Sequence, residues 1–296
     1  MTTKTTLFTL AVLSSTLTAA ERGAASSLPP EVVRMNTSLL KEEQAVGITG
    51  RPEWTGARRF PGTRVYIQKE PGEVGVESWW RFKKKRNGKV ANRLLEEIEI
   101  GLPYRMQLDL YTNFEGTGSG DFHFQSFNIE LRWALANWGE IWGNPAIYGE
   151  YKFADNQWGP DVYEFKLLFG DQLAPQWHWG VNFVWEAETG GDREQEFQVT
   201  GGLSYTVLDG KFGVGLEAFY NHDTVKGERG DAANIFAIGP SVQWRINDHL
   251  HVDLNWMFGT NNDSERHIAY LVVGYDFGSP KAASKHGYTP ISGQRN

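Results

Sequence analysis

Three segments of this chain carry an acid and a base two positions apart, and these side chains are the best placed to do chemistry. The pairs are Glu130 with Arg132, Glu150 with Lys152, and Glu164 with Lys166. Positions two apart lie on one face of an extended strand, and antiparallel neighbours run in opposite directions. This reversal predicts cross-strand contacts of opposite charge, namely Glu130 with Lys152, Arg132 with Glu150, Glu150 with Lys166, and Lys152 with Glu164.

Two functions fit such a ladder of charges. As a charged constriction it would select solutes in a pore. As a zipper it would fix the strand register and fill the interior, each opposite-charge pair contributing about 0.2–1 kcal/mol. We favour the zipper, because balanced pairs leave little net field to act on a solute.

The same predicted interior carries further charges, of which Glu217, Arg245 and Asp253 complete the candidate lumen lining. Acids outnumber bases at the other inward positions, which are Glu77, Glu97, Glu99, Asp109, Glu186, Glu188, Arg81, Lys83 and Arg93. In an open pore this excess would disfavour anions. Alternatively, these residues pair around the ring or hold the amino-terminal part of the chain.

Candidates for catalysis or metal binding are weak. His249 and His251 share a strand face, but no third ligand is indicated for a metal site. His123 and Ser126 raise the hypothesis of a serine hydrolase, yet residues three apart point to opposite faces. We therefore predict no catalytic residue, no metal and no cofactor. Lys and Arg are dispersed and the net charge is −7, so nucleic acid is not an expected partner.

The candidate residues belong to segments in which polar and apolar side chains alternate. In the clearest, Leu250 to Gly259, one face is wholly apolar. About twelve such segments recur between Gly72 and Gly278, centred near residues 79, 95, 109, 131, 149, 166, 182, 201, 216, 240, 254 and 272. The connections alternate between short turns and longer polar loops. One segment, around Leu95 and Glu96, breaks the alternation, and we expect a β-bulge there.

Strand length distinguishes a membrane barrel from a soluble β-sandwich. Sandwich strands average about 5–6 residues, whereas a bilayer needs about 9–11, and several of these segments reach that length. Aromatic residues also crowd the ends of the apolar faces, as in the girdles of membrane barrels. The sequence predicts an all-β fold: a transmembrane antiparallel up-and-down β-barrel of about 12 strands, within a range of roughly 10 to 14.

The remaining chain divides into three parts around the barrel, which we place at residues 71–278. Residues 1–20 have the basic start, apolar core and small residues of a signal peptide. Residues 21–70 are rich in Pro and Gly and predict an irregular amino-terminal arm or plug, periplasmic or in the lumen. Residues 279–296 predict a flexible tail. The chain has no cysteine, so packing and backbone pairing alone must hold it together.

Two stretches resemble a known family. These are PGTRVYIQKEPGEVGVESWWRF, entering the first strand, and VYEFKLLFGDQLAPQWHWGVNFVWE, a strand with a lysine, a short turn and a returning strand. They are similar to outer-membrane transporters associated with degradation of aromatic compounds by the phenol meta-pathway, and the likeness covers most of residues 58–277. Membership implies a small outer-membrane barrel that passes hydrophobic or aromatic small molecules. The final segment AYLVVGYDF resembles a barrel assembly signal, although the chain continues beyond it.

The sequence thus predicts an outer-membrane channel or facilitator for passive uptake or export of small molecules. Two alternatives remain open: an enzyme embedded in the outer membrane that acts on lipid, and a closed barrel with a structural or surface role. The expected partners are outer-membrane lipid, the barrel assembly machinery and a small-molecule solute. The oligomeric state and the identity of the solute are not predicted.

Overall fold

Twelve antiparallel strands close into a barrel in the computed structural model, which describes residues 40–118 and 120–278. The predicted signal peptide, the first part of the arm and the tail lie outside the described residues. The barrel strands are β3 (Val74–Lys84), β4 (Val90–Leu102), β5 (Met106–Thr117), β6 (Phe122–Ala134), β7 (Ala146–Ala154), β8 (Val162–Ala174), β9 (Trp177–Glu188), β10 (Gln195–Leu208), β11 (Phe212–Thr224), β12 (Ala233–Arg245), β13 (Leu250–Gly259) and β14 (His267–Phe277). The predicted fold class and the count of twelve are confirmed.

Each strand pairs with the next, and β14 pairs with β3 to close the ring. Short turns join the strands at one end, which we call the turn end, apart from a longer link at residues 135–145. The connections at the other end, the loop end, are the one between β5 and β6 and the loops at residues 85–89, 155–161, 189–194, 225–232 and 260–266. Since β3 starts at the turn end, the chain before it reaches the barrel from that side.

Outer and inner faces have opposite polarity along most of the strands. Tyr151 and Phe153 point outwards and are 36% and 46% exposed, whereas Glu130 and Arg132 are fully buried inside. An apolar exterior around a polar interior is the arrangement that a bilayer requires, because lipid meets the outer side chains. No helix within residues 40–118 and 120–278 is long and apolar enough to span a membrane.

Strand β4 corrects one expectation. Its pairing with β3 and β5 continues without a register shift, so the predicted bulge at Leu95 and Glu96 is wrong. Glu96 points outwards and accepts a hydrogen bond from Ser78 Oγ at 2.8 Å, while Leu95 lines an interior cavity. The irregular alternation therefore reflects a polar pair on the outer face. Register shifts lie instead in three other strand pairs, between Asn113 and Phe114 in β5 with β6, between Gln172 and Ala174 in β8 with β9, and between Thr206 and Leu208 in β10 with β11.

The segment before the barrel, residues 40–73, lies inside the lumen, and we call this segment the arm. It contains a short antiparallel pair, β1 (Ala45–Val46) with β2 (Arg51–Pro52), and two single helical turns, Lys41–Glu43 and Glu53–Thr55. Its side chains Trp54, Phe60, Tyr66 and Ile67 are almost wholly buried. They form one apolar cluster with inward side chains of the barrel and of the 135–145 link, including Trp138, Tyr148 and Leu168.

Candidate functional site: the lumen and its arm

The charged ladder is present, but its register differs from the expected one. Glu130 lies opposite Glu150, and Glu150 lies opposite Glu164. Lys152 lies opposite Asn128 and Val162, so the predicted acid–base contacts across the strands are wrong by two residues. The row of acids extends on both sides, through Asp109 and Glu99 in one direction and through Glu186 and Glu196 in the other. Register depends on the turns that join strands, and charge alternation along each strand does not reveal it.

Bases on the same strand or on the adjacent strand neutralise part of this row. Arg132 Nη2 lies 2.7 Å from Glu130 Oε1 and 3.0 Å from Asp109 Oδ2. Lys166 Nζ lies 2.6 Å from Glu164 Oε1 and 4.0 Å from the centre of the Tyr148 ring. An opposite charge or hydrogen-bond donor beside each of these acids limits the cost of burying them.

Bases of the arm neutralise the acids of β3 and β4. Arg58 Nη2 lies 2.6 Å from Glu77 Oε2, and the guanidinium lies 4.0 Å from the Trp79 ring centre. Further along, Arg64 pairs with Glu97 and Lys69 pairs with Glu99, each at 3.1 Å. The excess of inward acid therefore holds the arm, which is one of the alternatives that the sequence left open.

Arg59 ties the arm to the opposite wall. Its guanidinium donates to Ser204 Oγ at 2.8 Å, Thr206 Oγ1 at 2.6 Å and Gln243 Oε1 at 2.8 Å. It also lies 2.9 Å from His178 Nδ1. These partners belong to β9, β10 and β12, so a single buried side chain connects the arm to three strands.

A row of glycines makes room for the arm on the inner face. Gly170, Gly180 and Gly202 lie directly opposite one another on β8, β9 and β10. A Cβ atom added to Gly202 would lie 2.4 Å from the Phe60 ring, and one added to Gly180 would lie 2.8 Å from Val65. The sequence analysis did not predict this contact surface for the arm, which we call the seat. Glycine at inward positions of three consecutive strands could have indicated it.

The arm divides the open space of the lumen into a region at the loop end and a region at the turn end. A cavity of about 780 Å³ opens at the loop end, and a smaller one of about 190 Å³ continues it as far as Pro61, Gly62 and Arg64 of the arm. At the turn end a third cavity, of about 280 Å³, is lined by Lys69, Glu73 and other residues. The third cavity shares no lining residue with the other two, because buried arm residues lie between them.

The nine residues of the candidate lumen lining all point inwards but fall into two groups. Glu150, Lys152, Glu164 and Lys166 line the loop-end cavity. The other five lie lower, at or beside the arm. Glu130 and Arg132 form the buried cluster described above. Two of the others contact the backbone of the arm: Glu217 Oε2 accepts from the Gly62 N–H at 2.7 Å, and Arg245 donates to the Glu53 and Trp54 carbonyls. Asp253 lies 2.7 Å from His251 Nδ1.

Acids gather near the loop end of β10 and β11. Carboxylate oxygens of Glu194, Glu196 and Asp223 lie within 4.8 Å of one another. Burial, followed by a hydrogen bond with Asp223, raises the pKa of Glu194 to about 7.

The residues considered for catalysis have separate partners. His123 stacks on Trp158 with ring centres 3.6 Å apart, whereas Ser126 donates to Asn128 Oδ1 at 2.8 Å inside the barrel. His249 contacts the Asp276 carbonyl, and His251 contacts Asp253. Neither pair forms a common site.

Comparison with known proteins adds a family and a fold. Residues 104–277 match the model of the family described as "Putative MetA-pathway of phenol degradation". The barrel is similar to an outer membrane channel from Pseudomonas putida F1, with a TM-score of 0.55 and 8% identity over 72% of this chain and 97% of that one. The NanC porin gives a TM-score of 0.48 with 8% identity over 69% and 99% of the two chains. The KdgM porin gives 0.46 with 10% identity over 70% and 99%. No curated protein matches the sequence.

Proposed function

Because the chain belongs to this phenol-degradation family, we propose that it is an outer-membrane channel for the passive passage of small molecules, aromatic compounds among them. The observation that carries the proposal is a closed barrel with an apolar exterior and a polar lumen that is open to solvent at the loop end. The exterior suits outer-membrane lipid, since aromatic and aliphatic side chains cover it. The interior suits a solute path, since its charged side chains are gathered around a cavity.

The arm makes this a gated path. Between the cavities at the two ends, the arm residues Phe60, Tyr66 and Ile67 are buried against the barrel wall. A solute entering from the loop end therefore meets the arm before it reaches the turn end. Passage requires that the arm shift within the lumen or leave it towards the turn end, where it enters.

Two other functions have less support. An enzyme acting on lipid would need a nucleophile and a base in contact, and His123 and Ser126 have different partners. A closed barrel with a structural or surface role would need no cavity lined by many charges. Conductance separates the channel from both alternatives.

The test is electrical conductance of the full chain in planar bilayers, together with swelling of liposomes in benzenesulfonate, an aromatic anion that does not cross a bare bilayer. We expect discrete current steps that are rare, since the arm closes the lumen most of the time, and slow swelling that bare liposomes do not show. Protein that has been boiled before reconstitution is the control. Absence of both signals, from the native chain and from the Arg59→Ala variant described below, would exclude a channel.

A further inference from the structure

The loop-end cavity of about 780 Å³, which we call the vestibule, has two walls of opposite charge. The basic wall carries Arg81, Lys83 and Arg93 on β3 and β4. The acidic wall carries Glu186, Glu194, Glu196 and Asp223 on β9, β10 and β11 or beside them. In the ring of twelve, β3 and β9 are six strands apart, so the two walls face each other across the lumen.

Charges on both walls lack partners. Among the described residues, the side chains of Arg81 and Glu186 take part in no hydrogen bond or ion pair, while Arg93 has an ion pair with Glu115 at 3.5 Å. Glu196 accepts only from the amides Gln198 and Asn221. Charged groups that are partly buried in proteins are normally paired. Unpaired charges on facing walls are consistent with a ligand that brings both partners.

The balance of charge around the vestibule indicates which ligand that is. Seven basic and eight acidic side chains line it, so their sum almost cancels. A solute with one charge is attracted by one wall and repelled by the other, whereas a solute with both charges is attracted by both. Arg93 and Glu186 line the same cavity, so one solute can meet both walls.

The floor of the vestibule is apolar. Trp79 and Tyr270 meet edge to face there with ring centres 6.5 Å apart, and Leu95, Phe219 and Ile268 lie beside them. Aromatic surfaces favour contact with another flat ring. The floor therefore suits the body of a solute whose charged ends reach the two walls.

We propose that the vestibule binds a small aromatic zwitterion with its ammonium and carboxylate groups at opposite ends of the ring, the ammonium towards Glu186 and the carboxylate towards Arg81. This deepens the proposed function, on which it rests for the route by which the solute then leaves. The ring lies on Trp79 and Tyr270. Such a ligand satisfies the free charges of both walls at once.

The test is isothermal titration of the purified full chain in detergent with four probes. 4-(Aminomethyl)benzoate carries both charges at opposite ends of its ring, 4-methylbenzoate carries only the negative charge, and 4-methylbenzylamine only the positive charge. L-Phenylalanine carries both charges side by side. We expect 4-(aminomethyl)benzoate to bind at least about tenfold more tightly than each of the other three.

Single-residue variants test which side chain binds which charged group of the probe. Arg81→Gln and Glu186→Gln are each expected to weaken binding of 4-(aminomethyl)benzoate by about tenfold. Arg81→Gln should leave 4-methylbenzylamine bound as before or more tightly. Lys89→Gln and Glu228→Gln, which remove exposed loop charges outside the vestibule, are the controls and should change nothing. A shift in gel mobility on boiling verifies that each variant is folded.

Equal binding of 4-(aminomethyl)benzoate and either singly charged probe would overturn the proposal, as would binding that neither vestibule variant changes, or no binding of any probe. Titration in detergent does not depend on conductance. Conductance without zwitterion binding therefore refutes this inference alone. Binding without conductance refutes the channel and leaves the vestibule site standing.

Discussion

At the scale of single residues, Arg59 is the clearest link between the arm and the wall of the barrel. Its guanidinium reaches Ser204, Thr206, Gln243 and His178 while remaining buried. Hydrogen bonds of a charged group contribute about 1.5–3 kcal/mol each. Loss of this one side chain leaves several buried polar groups of the wall without a partner, which is costly for the closed arrangement.

Arg59→Ala is therefore expected to loosen the arm and to increase the frequency of current steps in planar bilayers several-fold. Limited proteolysis from the turn end should also cut the arm faster. Arg266→Ala, which removes an exposed arginine whose side chain makes no hydrogen bond in the described chain, is the matched control. Unchanged step frequency and unchanged cleavage in Arg59→Ala would contradict the role given to Arg59.

At the scale of elements, alternation along a strand was readable from sequence, but the relation between strands was not. Side chains at consecutive positions of β6 and β13 face opposite sides because of local backbone geometry, so their faces could be predicted. The contact of Glu130 with Glu150 depends on how the 135–145 link sets the register. The ion pair of Arg58 with Glu77 depends on the position of the irregular arm. The arm sequence has no periodic pattern from which this position could be predicted.

The glycine row on β8, β9 and β10 gives a prediction at this scale. Gly202→Ala places a methyl group against the Phe60 ring and should push the arm out of its seat, since overpacking costs about 1–3 kcal/mol. Current steps should become more frequent, and the temperature at which the arm becomes sensitive to protease should fall. The neighbouring Gly201→Ala places its methyl group in ordinary contact, with the nearest atom at 3.7 Å, and serves as the control. Identical behaviour of the two variants would contradict the seat.

At the scale of the whole molecule, arm and barrel share one interior, in which ion pairs lie beside an apolar cluster. In the sequence, the inward acids of the barrel wall outnumber the inward bases. Arg58, Arg64 and Lys69 of the arm neutralise part of this excess. The sequence predicted both the barrel and an irregular arm, and it left open whether the arm lay in the periplasm or in the lumen. Complementary charge on two distant parts of the chain is the physical reason for its position.

The most direct measurement tests whether the arm must move for a solute to pass. Thr63 of the arm and Thr200 of β10 have their Oγ1 atoms 3.1 Å apart, and the chain has no cysteine, so Thr63→Cys with Thr200→Cys introduces one disulfide pair. A disulfide needs its sulfur atoms about 2.05 Å apart, which a small shift of these side chains allows. The two single-cysteine variants are the controls.

We expect the oxidised double variant to give neither current steps in planar bilayers nor liposome swelling in benzenesulfonate, and dithiothreitol to restore both to the level of the native chain. The single-cysteine variants should conduct regardless of reductant. If the oxidised double variant conducts as well as the reduced one, the arm does not close the path, and the account of a gated channel is wrong.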